Sequence, residues 1–171
     1  MAKIEFAYAT QRDFSKIVET YNSTIPSRLV TADLEPVSLK DKLEWFNAHD
    51  PNRRPLWVIT SDGDYAGWMS FNSFYGRPAY AGTVEISIYL NELYRGKGIG
   101  KHCLEKAQKE APELKIHTLL GFIFGHNTGS LALFEKDGFT KWAHLPGVAV
   151  MDGVPRDLII LGKKIDGSHK S

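Results

Sequence analysis

Two periods in the spacing of apolar residues predict the elements of the chain. Alternating or continuous apolar runs predict strands at 4–9, 56–61, 65–74, 82–90 and 116–124, and two more within 140–165. Apolar residues three and four positions apart predict helices at 12–25, 38–49, 98–111 and 128–138. The dipeptides Asp62-Gly63 and Asp152-Gly153 are typical of the tight turns of β-hairpins, and each separates two predicted strands.

The second predicted helix has a defined start and an expected apolar face. Ser38 stands where a capping side chain can accept from the first backbone N–H groups. Leu39, Leu43 and Phe46 follow at helical spacing, with Trp45 beside them. We expect these residues to pack against the rest of the domain.

The order of the elements indicates the class of fold. Antiparallel hairpins surround one strand–helix–strand crossover, which indicates an α+β (mixed α/β) fold. Residues 1–165 are expected to form a single domain, and 166–171 a polar C-terminal tail that frays. Ligands of such sheets favour the carboxyl ends of the crossover strands, which places the segment after residue 90 first among the places to look for a site.

Composition excludes several classes of function. The 171 residues are 43% hydrophobic and 24% charged with a formal net charge of +1, which is ordinary for a globular protein and gives no basis for bulk nucleic-acid binding. A single cysteine and six histidines without metal-ligand spacing argue against a disulfide scaffold and a zinc site. Because no apolar stretch of membrane-spanning length occurs, we expect a cytoplasmic protein that is not inserted in a membrane.

A glycine-rich loop, Arg95-Gly-Lys-Gly-Ile-Gly-Lys101, lies between a predicted strand and a predicted helix. Free backbone N–H groups, the helix dipole and three cationic side chains make such a loop a candidate phosphate site. The Walker pattern fails because His102 takes the position of the serine or threonine, and the dinucleotide fingerprint fails at Lys101. From the residues alone, glycines that only satisfy turn geometry are the alternative.

Two motifs give the loop a family context. The run "RGKGIG" at 95–100 resembles the pyrophosphate loop of the GCN5-related N-acetyltransferases, and "NTGSLALFEKDGF" at 127–139 resembles their second signature. The order of elements also fits that family along almost the whole chain. The resemblance implies a GNAT fold, in which a twisted, mostly antiparallel sheet of about seven strands is flanked by four helices and splayed at strands 4 and 5. It also implies acetyl-CoA as co-substrate and no metal.

A narrower resemblance is to the phosphinothricin and methionine sulfoximine N-acetyltransferases. It is carried by "TYNSTI" at 20–25, "LEPVS" at 34–38, "EWF" at 44–46 and "GTVEISIYL" at 82–90. Ile86 replaces the histidine that this subfamily has on the corresponding strand. The resemblance implies a small amino-acid-like acceptor and a homodimer, with the apolar segment 142–153 at an edge or an interface.

Glu85 is the candidate general base. It lies in an otherwise apolar strand, and alternation places it with Ser87 and Tyr89 opposite Val84 and Ile86. A partly buried carboxylate has a raised pKa and can take a proton from an ammonium group. An exposed glutamate on a half-solvated strand is the alternative from the pattern, and the resemblance favours the base.

The resemblance also implies a set of cofactor contacts. The main chain of one strand pairs with the pantetheine arm, a backbone N–H such as that of Ile88 polarises the thioester carbonyl, and the glycine loop cradles the pyrophosphate. Asn127 is expected both to cap its helix and to contact the arm. The expected cofactor-binding residues are Ser87, Ile88, Tyr89, Leu90, Arg95, Gly96, Lys97, Gly98, Ile99, Gly100, Lys101 and Asn127.

The general acid and the acceptor contacts are less defined. Many relatives carry a tyrosine where this chain has Phe134, so either another group such as Tyr89 or His126 protonates the thiolate or the thiolate leaves unassisted. Cys103 lies inside a helix and is expected in the core. We expect the acceptor to contact Tyr75, Arg77 and Glu85, with Arg28 and Tyr80 as further candidates and solvated loop residues as the alternative for each.

Two other functions fit parts of the sequence. The acceptor would instead be a protein N-terminus or a polyamine, although Asp33 and Glu35 make only a thin acidic lining for a polyamine. A non-catalytic acyl-CoA-binding sensor would need no tyrosine at position 134, but Glu85 would then have no task.

Overall fold

Seven strands and four α-helices build the domain. The computed structural model describes residues 1–165. The strands are β1 (Ile4–Tyr8), β2 (Leu56–Ser61), β3 (Asp64–Ser73), β4 (Thr83–Leu90), β5 (Thr118–Phe124), β6 (Thr140–Met151) and β7 (Val154–Lys164). The helices are α1 (Phe14–Thr24), α2 (Leu39–Asn47), α3 (Ile99–Glu110) and α4 (Thr128–Lys136). Short 3-10 turns join them, among them 25–27 after α1 and 92–94 before α3.

The strands form one mixed sheet. Their order is β1-β2-β3-β4-β5-β7-β6, and only β4 and β5 run parallel. The two predicted hairpin turns are present, because Asp62-Gly63 and Asp152-Gly153 both adopt positive φ at both residues. The predicted mixed α/β architecture, a mostly antiparallel sheet of seven strands with four helices, is therefore confirmed for residues 1–165.

The sheet carries a hydrophobic core on each face. One core joins the sheet to α3 and α4 and contains Leu104, Phe134 and Leu161. The other joins the sheet to α1 and α2 and contains Ile17 and Trp68. Because side chains of a strand alternate between the faces, each residue of β4 belongs to one of these two layers.

β4 and β5 separate partway along their length. Their parallel pairing covers only Thr83–Glu85 of β4 against Thr118–Leu120 of β5. Beyond Glu85, β4 stays paired with β3 as far as Leu90, whereas β5 continues in pairing with β7. The backbone of residues 86–90 therefore has a free edge toward β5, as the splay predicted from the resemblance requires.

The expected apolar face of α2 is confirmed at Phe46 and wrong at Leu39 and Leu43. Leu39 and Leu43 are 47% and 44% exposed, whereas Phe46 is buried and Trp45 is partly buried. Phe46 packs on Phe14 with ring centroids 4.5 Å apart, and Trp45 packs edge-on against Trp68. The two aromatic rings bury more apolar area than two leucines, and they set the rotation of the helix.

Two predictions from the sequence extend beyond what the structure tests. The expected polar tail, 166–171, lies outside the described residues, and the single-domain assignment stays a prediction. Within residues 1–165, none of the helices has the length and apolar character needed to cross a membrane.

Gly67 provides a test of how β3 holds β4 in place. A Cβ on Gly67 would lie 2.2 Å from the Tyr89 carbonyl oxygen and 2.8 Å from the Leu90 Cα, both of which are backbone atoms. We expect Gly67→Ala to lower the free energy of unfolding by about 1–3 kcal/mol, because the strands must move apart. Gly129→Ala, in α4 with no atom within 4 Å of the added Cβ, serves as the control and is expected to stabilise. Denaturant unfolding compares the two variants, and equal stabilities would contradict the close approach.

Candidate active site

The free edge of β4 borders a cavity of about 220 Å³, here called the cofactor groove. Its walls come from β4, β5, α4 and the segment after α1. Eight of the expected site residues line it: Glu85, Ser87, Ile88, Tyr89, Leu90, Arg95, Gly100 and Asn127. The structure therefore brings most of the predicted site together around the splay.

Among the described residues 1–165, Glu85 is the one carboxylate that lines the cofactor groove. It is partly buried, and burial raises the pKa of its carboxyl group. Within residues 1–165 the carboxylate takes part in no ion pair or side-chain hydrogen bond of the fold, so nothing there lowers this pKa. A carboxylate in this state is suited to accept a proton.

The alternation predicted for β4 holds. Val84 and Ile86 are buried in the core with α3 and α4, whereas Tyr89 packs in the layer of α1 and α2. The Tyr89 ring stacks on Trp68 at 4.6 Å, and Ser87 faces the same side because it is two residues away. Position 86, where the subfamily has histidine, therefore points away from Glu85 and into the core.

A second, smaller cavity of about 150 Å³ lies between α1 and α2, here called the aromatic cavity. It is lined by Ile17, Val18, Tyr21, Lys42, Trp45, Trp68, Ser87 and Tyr89. The Lys42 ammonium lies 4.5 Å from the centroid of the Tyr21 ring and 5.2 Å from that of Trp45. Ser87 and Tyr89 line both cavities, so the two cavities meet at β4.

The three loop glycines serve two different purposes. Gly96 and Gly98 adopt φ of 71° and 83°, and Gly98 is the N-cap of α3. This left-handed conformation is strained for other residues. The first N–H groups of any α-helix lack helical partners, and Gly98 has no side chain to cap those of α3. Gly100 lies within α3, where an added Cβ would meet Leu133 Cδ2 at 2.6 Å. Its absent side chain therefore allows α3 and α4 to approach closely.

The other loop residues surround this turn. Arg95 is exposed, and its Nε donates to the Leu90 carbonyl at 3.1 Å, which ties the loop to the end of β4. Lys97 and Lys101 are exposed, and Lys101 lies 3.6 Å from Glu105. Ile99 is buried in the core, so only its backbone is available to a ligand.

Asn127 caps α4 as predicted. Its Oδ1 accepts from the Ser130 backbone N–H at 3.2 Å, and its Nδ2 donates to the Leu29 carbonyl at 3.1 Å. His126 Nε2 similarly donates to the Arg28 carbonyl at 2.8 Å. The segment that follows α1 is thus fastened over one wall of the cofactor groove.

Arg28 is already paired inside the fold. Its guanidinium pairs with Asp152 in the β6–β7 turn, with 2.9 Å between Nε and Oδ2, and it also donates to the Leu34 carbonyl. This pairing lowers the pKa of Asp152. The sequence suggested Arg28 as a ligand of a substrate carboxylate, but the structure gives its charge to Asp152.

The expected acceptor residues Tyr75 and Arg77 lie apart from both cavities. They are exposed in the segment between β3 and β4, where Tyr75 stacks on Phe74 at 4.3 Å and meets the Tyr80 ring at 5.7 Å. Within the single chain they form a separate aromatic and cationic surface, so their contact with an acceptor stays a prediction.

The two candidates for the general acid, Tyr89 and His126, line different cavities. Tyr89 lines the cofactor groove, and burial raises the pKa of its phenol, which keeps it protonated. His126 lines a different cavity of about 490 Å³ beside β6 and β7. Phe134 is buried beside the groove, and Cys103 is fully buried with a raised thiol pKa, as expected for a core residue.

The sequence analysis did not identify the polar residues Ser70 and Asn72, which lie next to β4 on the face of Glu85. Asn72 lies across from Glu85 in the β3–β4 register, and its amide contacts Ser70, Ser87 and His49. The alternation of β3 would have placed Ser70 and Asn72 on the face of Glu85 once the register of the two strands was known. His49 follows α2, and no motif marks it.

Comparisons with known proteins agree with this arrangement. The profile of the "Acetyltransferase (GNAT) family" matches residues 14–139. YwnH of Bacillus subtilis (strain 168), named as a candidate phosphinothricin acetyltransferase, is 52% identical over 158 residues, 92% of this chain and 96% of that protein. The L-methionine sulfoximine/L-methionine sulfone acetyltransferase of Salmonella typhimurium is 28% identical over 159 residues, 93% of each chain. A solved phosphinothricin acetyltransferase of Sinorhizobium meliloti in complex with acetyl-CoA is 26% identical with a TM-score of 0.89, covering 99% of this chain and 92% of that one.

A mixed sheet opened at β4, with a glycine loop at the end of the opened strand, is the arrangement expected of a coenzyme A-dependent acyltransferase. The chain belongs to the acetyltransferase (GNAT) family. The enzyme class and the acetyl-CoA co-substrate predicted from the sequence are confirmed at the level of this family.

The glycine loop gives a prediction for coenzyme A binding. Gly98→Ala places a side chain on a residue with φ of 83° at the first turn of α3, so we expect about tenfold weaker binding of coenzyme A, equivalent to about 1.4 kcal/mol. Gly63→Ala is the matched control, because Gly63 has φ of 86°, also has open space around its Cβ and lies in the β2–β3 turn. Calorimetric titration of both variants makes the comparison, and undiminished affinity of Gly98→Ala would remove the loop from the binding site.

Proposed function

We propose that the protein transfers the acetyl group of acetyl-CoA to the amine of a small amino-acid-like acceptor, by direct attack in a ternary complex. The observation that carries this proposal is the partly buried Glu85 carboxylate, which has no partner among residues 1–165 and lies beside the free edge of β4. The acceptor class is supported by two relatives, YwnH, which is named for phosphinothricin, and the Salmonella typhimurium enzyme, which is named for L-methionine sulfoximine and L-methionine sulfone.

The groove fits acetyl-CoA on two grounds. The free backbone edge of 86–90 offers N–H and C=O groups to the amides of a pantetheine arm, as an added strand would. The left-handed turn at Gly96 and Gly98 directs the N-terminus of α3 toward a pyrophosphate. In this arrangement Ser87, Ile88, Tyr89 and Leu90 hold the arm, residues 95–101 hold the phosphates, and Asn127 contacts the arm if its amide leaves Leu29.

The chemistry follows from three needs of acetyl transfer. Glu85 takes a proton from the acceptor ammonium, which frees the nitrogen lone pair. The nitrogen then attacks the thioester carbonyl carbon, while a backbone N–H of β4, that of Ile88, donates to the developing oxyanion. The C–S bond breaks and releases a thiolate whose basicity is near that of cysteine, so it leaves without strong assistance. The nitrogen loses its second proton as the amide forms, and the thiolate takes up this proton to give the free thiol of coenzyme A, while Glu85 returns its own proton to solvent. Tyr89 lies closer to this path than His126 does, because only Tyr89 lines the same groove.

Two further acceptor classes have less support. A polyamine would need anionic side chains, but Asp33 already accepts from the Tyr21 hydroxyl and Glu35 is exposed. A protein N-terminus needs a wide entrance, and both cavities at β4 are small.

The non-catalytic sensor would leave Glu85 in a partly buried position without a task. Arg77 remains our candidate for the acceptor carboxylate, with Tyr75 beside it.

We also propose that two copies of the chain associate through β6 and β7. β6 is an edge strand, and Trp142, Val148, Val150 and Val154 are 43–60% exposed on this hairpin. Covering these side chains would bury apolar area that the single chain leaves in water. The cytoplasmic location expected from the sequence stays a prediction.

Release of free thiol from acetyl-CoA tests the proposed function. The panel of amines contains phosphinothricin, methionine sulfoximine, methionine sulfone, common amino acids, polyamines and short peptides. We expect turnover with an α-amino acid-like compound, because its amine is small enough to reach Glu85 in the cofactor groove. Silence of the wild-type protein across the panel while coenzyme A still binds would support the sensor instead.

Glu85→Gln separates chemistry from binding in the same assay. Because the base must be ionised, kcat/KM of the wild type should fall as the pH drops through the Glu85 pKa, which burial raises above the ordinary value of about 4.3. We expect the variant to lose this acid limb and at least about a hundredfold in kcat, with unchanged affinity for coenzyme A. An unchanged rate would exclude Glu85 as the base.

Sedimentation velocity tests the association. The double variant Val148→Lys/Val150→Lys should be monomeric at concentrations where the wild type is a dimer, because two ammonium groups would have to be desolvated in the interface. Leu39→Lys is the control, since Leu39 is 47% exposed on α2, far along the chain from the hairpin. A monomeric wild type would refute the interface.

A further inference from the structure

A chain of hydrogen-bonding groups runs beside β4, on the face of the sheet that carries Glu85, from the end of α2 to the wall shared by the two cavities. His49 Nδ1 lies 2.9 Å from the Trp45 carbonyl oxygen, and Nε2 lies 3.2 Å from the Asn72 amide oxygen. The Asn72 amide nitrogen in turn lies 3.1 Å from Ser70 Oγ and 3.1 Å from Ser87 Oγ. These contacts place His49 two hydrogen bonds away from Ser87.

The partners of His49 determine where its protons reside. A carbonyl oxygen only accepts, so His49 Nδ1 carries a proton and donates it to Trp45. An amide oxygen facing Nε2 needs a second donor there, which only the imidazolium provides. Burial lowers the pKa of His49 and favours the neutral ring, whose Nε2 is an acceptor. The heavy atoms of an amide fit equally well when it is turned over, which presents its NH₂ group to Nε2.

The orientation of the Asn72 amide determines whether the Ser87 hydroxyl donates or accepts in the hydrogen bond between them. Before the turn, the Asn72 amide nitrogen donates to both serine oxygens. After the turn the amide oxygen takes its place, and each serine hydroxyl donates its proton to that oxygen. Ser70 is fully buried, whereas Ser87 lines the cofactor groove and the aromatic cavity. With its proton engaged, Ser87 Oγ presents lone pairs to these cavities, on the same face of β4 as Glu85.

We propose that neutral His49, acting through Asn72, makes Ser87 Oγ a hydrogen-bond acceptor for the amino group of the acceptor substrate. The ammonium donates one N–H to Ser87 and another to Glu85, and Glu85 removes the proton that it receives. Ser87 keeps its own proton throughout, so it is a binding group for the amine, and Asn72 and His49 are positioning residues. This inference rests on the proposed function and names a contact that selects an amine with at least two N–H groups.

Protonation of His49 reverses the donor and acceptor roles along the chain from His49 through Asn72 to Ser87. The imidazolium would donate to the amide oxygen, the amide nitrogen would donate to Ser87, and the Ser87 proton would then point at the incoming N–H groups. The titratable groups near His49 are Tyr8 and Asp50, which line the same cavity, and Glu85, which lies across from Asn72. The Michaelis constant for the amine should therefore rise in acid, through an ionisation separate from that of Glu85.

Steady-state kinetics with an amine that the wild type acetylates tests the contact. Ser87→Ala should raise the Michaelis constant for the amine at least about tenfold, because a hydrogen bond to a charged group is lost, while that for acetyl-CoA and the thermal midpoint stay the same. Ser87→Thr restores a hydroxyl and should recover most of the effect. Ser70→Ala is the matched control, since it removes the other hydroxyl on Asn72 without touching either cavity. Equal amine constants for the wild type and Ser87→Ala would overturn the inference.

Nitrogen-15 NMR of the histidine ring tests the chain itself. The His49 signals, assigned by their loss in His49→Gln, should show a neutral ring protonated at Nδ1 at neutral pH. The Nε2-protonated tautomer or the imidazolium would overturn the orientation of Asn72. The acid rise in the amine constant should also disappear in His49→Gln. An inactive wild type with every amine would instead refute the proposed function, so the two failures are distinguishable.

Discussion

The end of pairing between β4 and β5 after Glu85 is the constraint on which the rest of the site depends. Backbone groups inside a sheet are normally satisfied by the next strand, and those of 86–90 lack that neighbour on one side. A ligand with its own peptide-like groups can complete the pairing. Because the two strands separate beyond Glu85, its carboxylate lies beside the cofactor groove.

In the proposed complex one strand therefore serves both substrates. The edge of β4 would pair with the pantetheine arm, while Glu85, Ser87 and Tyr89 on its α1–α2 face would meet the acceptor. β3 holds β4 from the other side through the close approach at Gly67 and supplies Asn72 on the same face of the sheet as Glu85. The groups around the amine are thus fixed by a sheet, which is stiffer than a loop, and the loops mainly limit access.

Local pattern was enough for the elements but not for the contacts between them. Alternation located Glu85 correctly, and the two Asp-Gly turns marked both hairpins, because each depends on neighbours in sequence. The rotation of α2 depends on which rings find partners in α1 and β3, and helical spacing alone favoured Leu39 and Leu43 over Trp45. Gly100 is needed because Leu133 of α4 packs where its side chain would be. The partner of Arg28 is Asp152, 124 residues away in the sequence. Such pairings exist only once the register of the sheet is set.

The ion pair of Arg28 with Asp152 has a consequence for the solvent dependence of the enzyme. It joins the segment after α1, which roofs the cofactor groove, to the turn of the hairpin that exposes an apolar edge. Both side chains reach solvent, so dissolved ions screen their attraction. Higher ionic strength would then weaken this link, whereas the hydrogen bonds of His126 and Asn127 to the same segment involve no ion pair and would keep it over the groove.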